Sequence, residues 1–70
     1  MKITINGNEE EIAYEMTINE LLSFRKVESP EMISVEHNGV ILERADFSRL
    51  TIHKDDVIEF LYFMGGGSRP

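Results

Sequence analysis

Apolar and polar positions alternate from the first residues: Ile3 and Ile5 flank Thr4, and Asn6-Gly7 follows, the dipeptide that most favours a two-residue hairpin turn. A second alternating segment places Ile12 and Tyr14 on one face and Glu11, Ala13 and Glu15 on the other, completing a predicted β-hairpin. The period then changes. Thr17-Ile18-Asn19-Glu20 has the spacing of a capping box, in which the threonine hydroxyl accepts from the first helical turn and Glu20 reaches back to the cap. Met16 and Leu21 stand where a hydrophobic staple would close around that cap. Ile18, Leu21 and Leu22 form the apolar stripe of one short helix, predicted from about Ile18 to Arg25 or Lys26. Ser29-Pro30 blocks its continuation, because a residue before proline is pushed out of the helical region.

Alternation returns in Ile33-Ser34-Val35-Glu36-His37 and meets a second hairpin dipeptide at Asn38-Gly39 before the apolar Val40-Ile41-Leu42. Ala45 to Leu50 fits a single helical turn that tucks in Phe47 and Leu50, and Asp55-Asp56 turns the chain into the longest predicted strand, Val57 to Met64. Within it Ile58, Phe60, Tyr62 and Met64 share one parity, which should face the helix. The opposite parity holds Val57, Glu59, Leu61 and Phe63. Glu59 marks that face as wet, so Leu61 and Phe63 form an apolar patch on a solvent-facing surface, the signature of a docking site. The elements run ββαββ, a helical turn, then β. The expected class is α+β: a sheet of about five strands with one helix packed across one face, since a small sheet must cover its apolar side.

Seventy residues make one domain, with no room for a deep pocket beside a core. Cysteine is absent, so the core alone must hold the fold and no thiolate metal site exists. His37 and His53 are isolated, without partners at metal-ligand spacing, and both are expected on the surface. No phosphate-binding glycine loop with lysine and no nucleophile elbow is present. An enzyme is therefore not expected. The net charge of −6, from 13 acidic and 7 basic residues, disfavours nucleic acid and anionic lipid and favours a basic protein partner. No stretch approaches a membrane span and the N-terminus lacks a signal-peptide pattern, so the cytoplasm is the expected location.

The most informative segment is the last: Phe63-Met64-Gly65-Gly66-Gly67, a glycine run straight after an apolar strand, followed by Ser68-Arg69-Pro70. Residues 1–64 are expected to form the domain and 65–70 a flexible tail, thin enough to enter another protein's active site. Together with Met1-Lys2-Ile3-Thr4-Ile5-Asn6-Gly7, Thr17-Ile18-Asn19-Glu20-Leu21-Leu22, Val35-Glu36-His37-Asn38-Gly39, Ala45-Asp46-Phe47 and Asp55-Asp56-Val57-Ile58-Glu59, this ending resembles the ThiS family of sulfur carriers, within the ubiquitin-like β-grasp set that also holds MoaD.

That resemblance implies a mixed sheet with the first and last strands parallel at its centre. It also implies a carrier whose C-terminal glycine, Gly66 or Gly67 here with Gly65 in the tail, is adenylated by a ubiquitin-activating-like enzyme of the ThiF/MoeB type and becomes a thiocarboxylate. The sulfur would pass to a thiazole synthase in thiamine biosynthesis. The carrier itself would need no cofactor. Ser68-Arg69-Pro70 departs from the family pattern and leaves three readings: a native extension removed by a processing protease, an appended remnant, or service to another acceptor such as homocysteine, molybdopterin or secondary-metabolite synthesis. A non-conjugating β-grasp binding module is the alternative of a different class.

Overall fold

Both Asn-Gly dipeptides take left-handed backbone, with φ of 50° and 83° at Asn6 and Gly7 and 50° and 88° at Asn38 and Gly39. A hairpin turn with positive φ at both central residues is what selects this dipeptide. In the computed structural model, which describes residues 1–62, they connect strands β1 (Lys2–Ile5) to β2 (Asn8–Glu11) and β3 (Ile33–His37) to β4 (Val40–Ile41). The fifth strand, β5, spans Val57–Tyr62, so the predicted end of this strand at Phe63 and Met64 lies outside the described residues.

The sheet order is β2-β1-β5-β3-β4. β1 and β5 run parallel, with Thr4 beside Val57 and Ile5 beside Ile58. The other pairings are antiparallel. This is the mixed sheet with first and last strands adjacent at its centre that the resemblance implies.

The second strand is shorter than alternation predicted. The β1–β2 register closes at Lys2 and Glu11, and one further pair, Met1 with Ile12, exchanges backbone hydrogen bonds beyond it. Ile12 enters the core, but Tyr14, which alternation places on the same face, is 56% exposed. The chain turns there so that the Met16 carbonyl can accept from the Ile52 N–H at 2.7 Å.

The helix, α1 (Ile18–Phe24), starts as its sequence dictates. Thr17 Oγ1 accepts from the Glu20 N–H at 3.1 Å, and Glu20 Oε1 accepts from the Thr17 N–H at 2.9 Å. Its end is set earlier than the Ser29-Pro30 signal. Lys26 adopts φ 54° and donates to the Ser23 carbonyl, while the Val27 N–H reaches the Leu22 carbonyl. This is a Schellman closure with lysine where glycine is usual, and half-buried Val27 packs against the core.

Ile18, Leu21 and Leu22 pack onto Ile3, Ile5, Val35, Ile58 and Phe60 of the sheet. A 3-10 turn at Arg44–Ser48 inserts Phe47 beside the helix, with Leu50 half-buried, as the sequence predicts. Among the described residues every buried side chain is apolar, so the core carries no charge to satisfy.

Candidate functional site

β5 is the strand from which the glycine segment follows in sequence, and its two faces differ. Ile58 and Phe60 are buried beneath α1. Tyr62 shares their parity, yet it is 57% exposed, which corrects its assignment to the core. The β1 register stops at Ile58, and the last contact from that side is Asn6 Oδ1 accepting from the Phe60 N–H at 2.8 Å. Past Phe60 the strand keeps only β3 beside it, and a tyrosine at that margin keeps its hydroxyl in water.

The opposite face is open. Leu61 and Val57 are both large exposed apolar residues, and half-buried Glu59 stands between them. The register adds neighbours that the sequence did not assign to this face: Glu36 lies directly across from Glu59, Ser34 across from Leu61, and Ile41 across from Glu36. The structure thus brings the expected Glu59 and Leu61 onto one surface. The other expected site residues, Phe63, Gly65, Gly66 and Gly67, lie outside the described residues. Ile41 was hidden from sequence reading because a two-residue strand has no period; only its pairing with β3 sets its face.

The leading end of β5 is tied by a knot of polar groups that the sequence reading missed. Asp56 Oδ2 accepts from the His53 N–H and lies 2.8 Å from His37 Nε2, while Oδ1 accepts from Asn38 Nδ2 at 3.1 Å. Asn38 Oδ1 in turn accepts from the Val57 N–H at 2.8 Å. Burial pushes the Asp56 carboxyl up, but the hydrogen bonds from His53, His37 and Asn38, with the charge of His37 beside it, outweigh that and hold it below the usual aspartate range. His37 is therefore not the plain surface residue its isolation in sequence suggested: it is half-buried and engaged. A signal existed in the alternation, which puts His37 on the parity of Ile33 and Val35, both fully buried. His53 is exposed, as expected, 3.7 Å from Glu15.

The two hairpin asparagines thus do a second job. Asn6 and Asn38 each turn a strand and each accept from a backbone N–H of β5. That fixes where the last strand sits. Among the described residues there is no cluster of three or more His, Asp or Glu placed to hold a metal ion, and no helix is long and apolar enough to cross a membrane.

A family model described as the ThiS family matches residues 3–67. The fold superimposes on the crystal structure of a thiamine biosynthesis protein (ThiS) from Geobacter metallireducens with a TM-score of 0.86 and 45% identity, covering 96% of this chain and 100% of that one. An NMR solution structure of a thiamine biosynthesis protein from the same organism gives 0.80 and 43%, covering 100% of this chain and 92% of that one. Two curated relatives named thiazole synthase are also similar. That of Paramagnetospirillum magneticum is 34% identical over 68 residues and that of Magnetococcus marinus 33% over 70, covering 97% and 100% of this chain. The chain spans only 21% of the length of either.

Proposed function

The chain belongs to the ThiS family, and on that ground we propose that it is a sulfur carrier of thiamine biosynthesis, a protein that is acted upon and does not itself catalyse. The observation that carries this reading is the family match across residues 3–67, which reaches through the glycine run, supported by end-to-end similarity to a thiamine biosynthesis protein.

In the chemistry we propose, a glycine carboxylate at the end of the run is the reacting group. A carboxylate is a poor electrophile. An adenylating enzyme of the ubiquitin-activating type would let its oxygen displace pyrophosphate from ATP, giving an acyl adenylate. A persulfide donor would then displace AMP to give an acyl disulfide, and a thiol would cleave its S–S bond, leaving a disulfide and the thiocarboxylate, a strong nucleophile that carries sulfur without free sulfide. Glycines suit this end because their backbone reaches conformations closed to other residues. The acceptor would be a thiazole synthase. This is supported by the two relatives of that name in which a segment like this chain forms part of one longer polypeptide. Docking would use the open face of β5, with Leu61 and Glu59 and, next in sequence, Phe63.

Ser68-Arg69-Pro70 follow the glycines, and the proline ring fixes its φ. We expect residues after the glycines to be removed before activation, leaving Gly66 or Gly67 as the mature end. The test incubates the full chain and versions ending at Gly66 and Gly67 with the adenylating enzyme, MgATP and a sulfur donor, and reads intact mass. Exchange of a terminal oxygen for sulfur is expected in a shortened form only. Sulfur gain by the full chain with Pro70 retained would falsify the processing step, and no gain by any form would overturn the carrier reading.

A further inference from the structure

On the open face, Glu36 and Glu59 stand directly opposite each other across the β3–β5 ladder. Side chains so placed have Cβ atoms about 5 Å apart, and like charges in that arrangement are destabilising. Among the described residues Lys2 pairs with Glu9, Arg25 pairs with Glu10, Arg44 bonds the carbonyls of Pro30, Glu31 and Ile33, and Arg49 bonds that of Ala45. Among the described residues no ion pair or side-chain hydrogen bond involves Glu36 or Glu59. Three apolar side chains stand beside the pair: Val57 and Leu61 lie two residues either side of Glu59 on β5, and Ile41 is paired with Glu36 on the far side, all three exposed by more than 40%. Ser34, next along β3 from Glu36 on this face, is the polar neighbour. A carboxylate pair with exposed apolar side chains beside it is a good surface for a cation brought in by an apolar partner.

We propose that this face receives an arginine of the thiazole synthase, seated between Glu36 and Glu59 with its flanks against Val57, Leu61 and Ile41. The inference rests on the docking role given above to the face of β5 and adds the chemistry that the partner must present. Arginine suits the site better than lysine: its planar fork can bond two carboxylates at once, and its weak hydration suits apolar walls. The same pair argues against other occupants. Two copies of this chain meeting face to face would bring four carboxylates together, and nucleic acid or anionic lipid would add further negative charge. The synthase is the partner because relatives bearing that name contain a segment like this chain.

The test compares the full chain with the double variant Glu36→Gln and Glu59→Gln, and separately with Leu61→Ala, for binding at low and high salt to purified thiazole synthase and, in parallel, to the adenylating enzyme, both from the same organism. The double variant should show a raised Tm, since a repulsion is removed, together with roughly tenfold weaker binding and a flatter salt dependence. Leu61→Ala should weaken binding with its salt dependence intact. Unchanged binding by the double variant, with Leu61→Ala still weakened, overturns the arginine and leaves the face standing. Binding unaffected by either change overturns the face itself. A Tm that fails to rise shows carboxylates already satisfied within the domain, and a loss seen only with the adenylating enzyme shows the wrong partner; either result overturns the proposal.

Discussion

The two ends of β5 are built differently. At its leading end the strand is held from both sides: Thr4 donates to the Asp56 carbonyl, Asn38 donates to the Val57 carbonyl and accepts from its N–H, and Asn6 donates to the Ile58 carbonyl and accepts from Phe60. At its far end Leu61 and Tyr62 face only Ser34 and Ile33 of β3, with both side chains exposed. Over six residues the strand passes from clamped to one-sided. The difference separates a clamped end, where the fold is held, from an end past Phe60 that has β3 alone beside it among the described residues. A change at the clamped end should therefore cost far more stability than a change at the other.

The largest effect should come from cutting into the clamped end. Ile58 is fully buried, so Ile58→Ala should destabilise by about 3 kcal/mol or more, measured by urea denaturation. In a domain this small that is a large part of the total. A loss below about 1 kcal/mol would mean that the leading end is not where the fold is held.

Asp56→Asn should cost about 1–2 kcal/mol at neutral pH, because the carboxylate accepts from three neighbours and an amide oxygen cannot replace all of them. The pH dependence sharpens this. The folded-state pKa of Asp56 lies below its unfolded value, so its contribution is complete above the ordinary aspartate pKa of about 3.9 and fades as pH falls through the lowered value. Wild type and variant should converge in acid. A constant gap at every pH would assign the loss to geometry and not to the charge.

The smallest effect belongs to the one-sided end. Tyr62→Ala should change stability by no more than about 0.5 kcal/mol, although its parity is that of the core. A loss as large as that of Ile58→Ala would erase the distinction between the two ends.

These contrasts also show where the sequence was readable. The capping box, both hairpin turns, the first and third strands and the parity of Ile58 and Phe60 were legible because each is governed by neighbours within a few residues. Tyr14 and Tyr62 were misplaced for a shared reason: alternation persists in the sequence after the partner strand has ended, and only the register of β1 reveals where that happens. The helix end near Arg25 and Lys26 was legible too, but its closure was not, because a lysine took the left-handed position usually signalled by glycine. On the candidate site, Glu59 and Leu61 were visible from β5 alone. Glu36, Ile41 and the Asp56 knot are cross-strand facts, and residues far apart in sequence announce no pairing.

The margins of the sheet carry a consequence for crowding. One border strand, β2, holds three consecutive glutamates, Glu9 to Glu11, and the other, β4, is two residues long. An acidic border repels a second acidic border, and a two-residue border offers too few unpaired backbone groups to template another strand. Open sheets with apolar faces are prone to stack and zip edge to edge into aggregates. Here both border strands are poor templates for a second copy of the sheet, so the exposed Val57 and Leu61 stand on a sheet whose margins resist polymerisation.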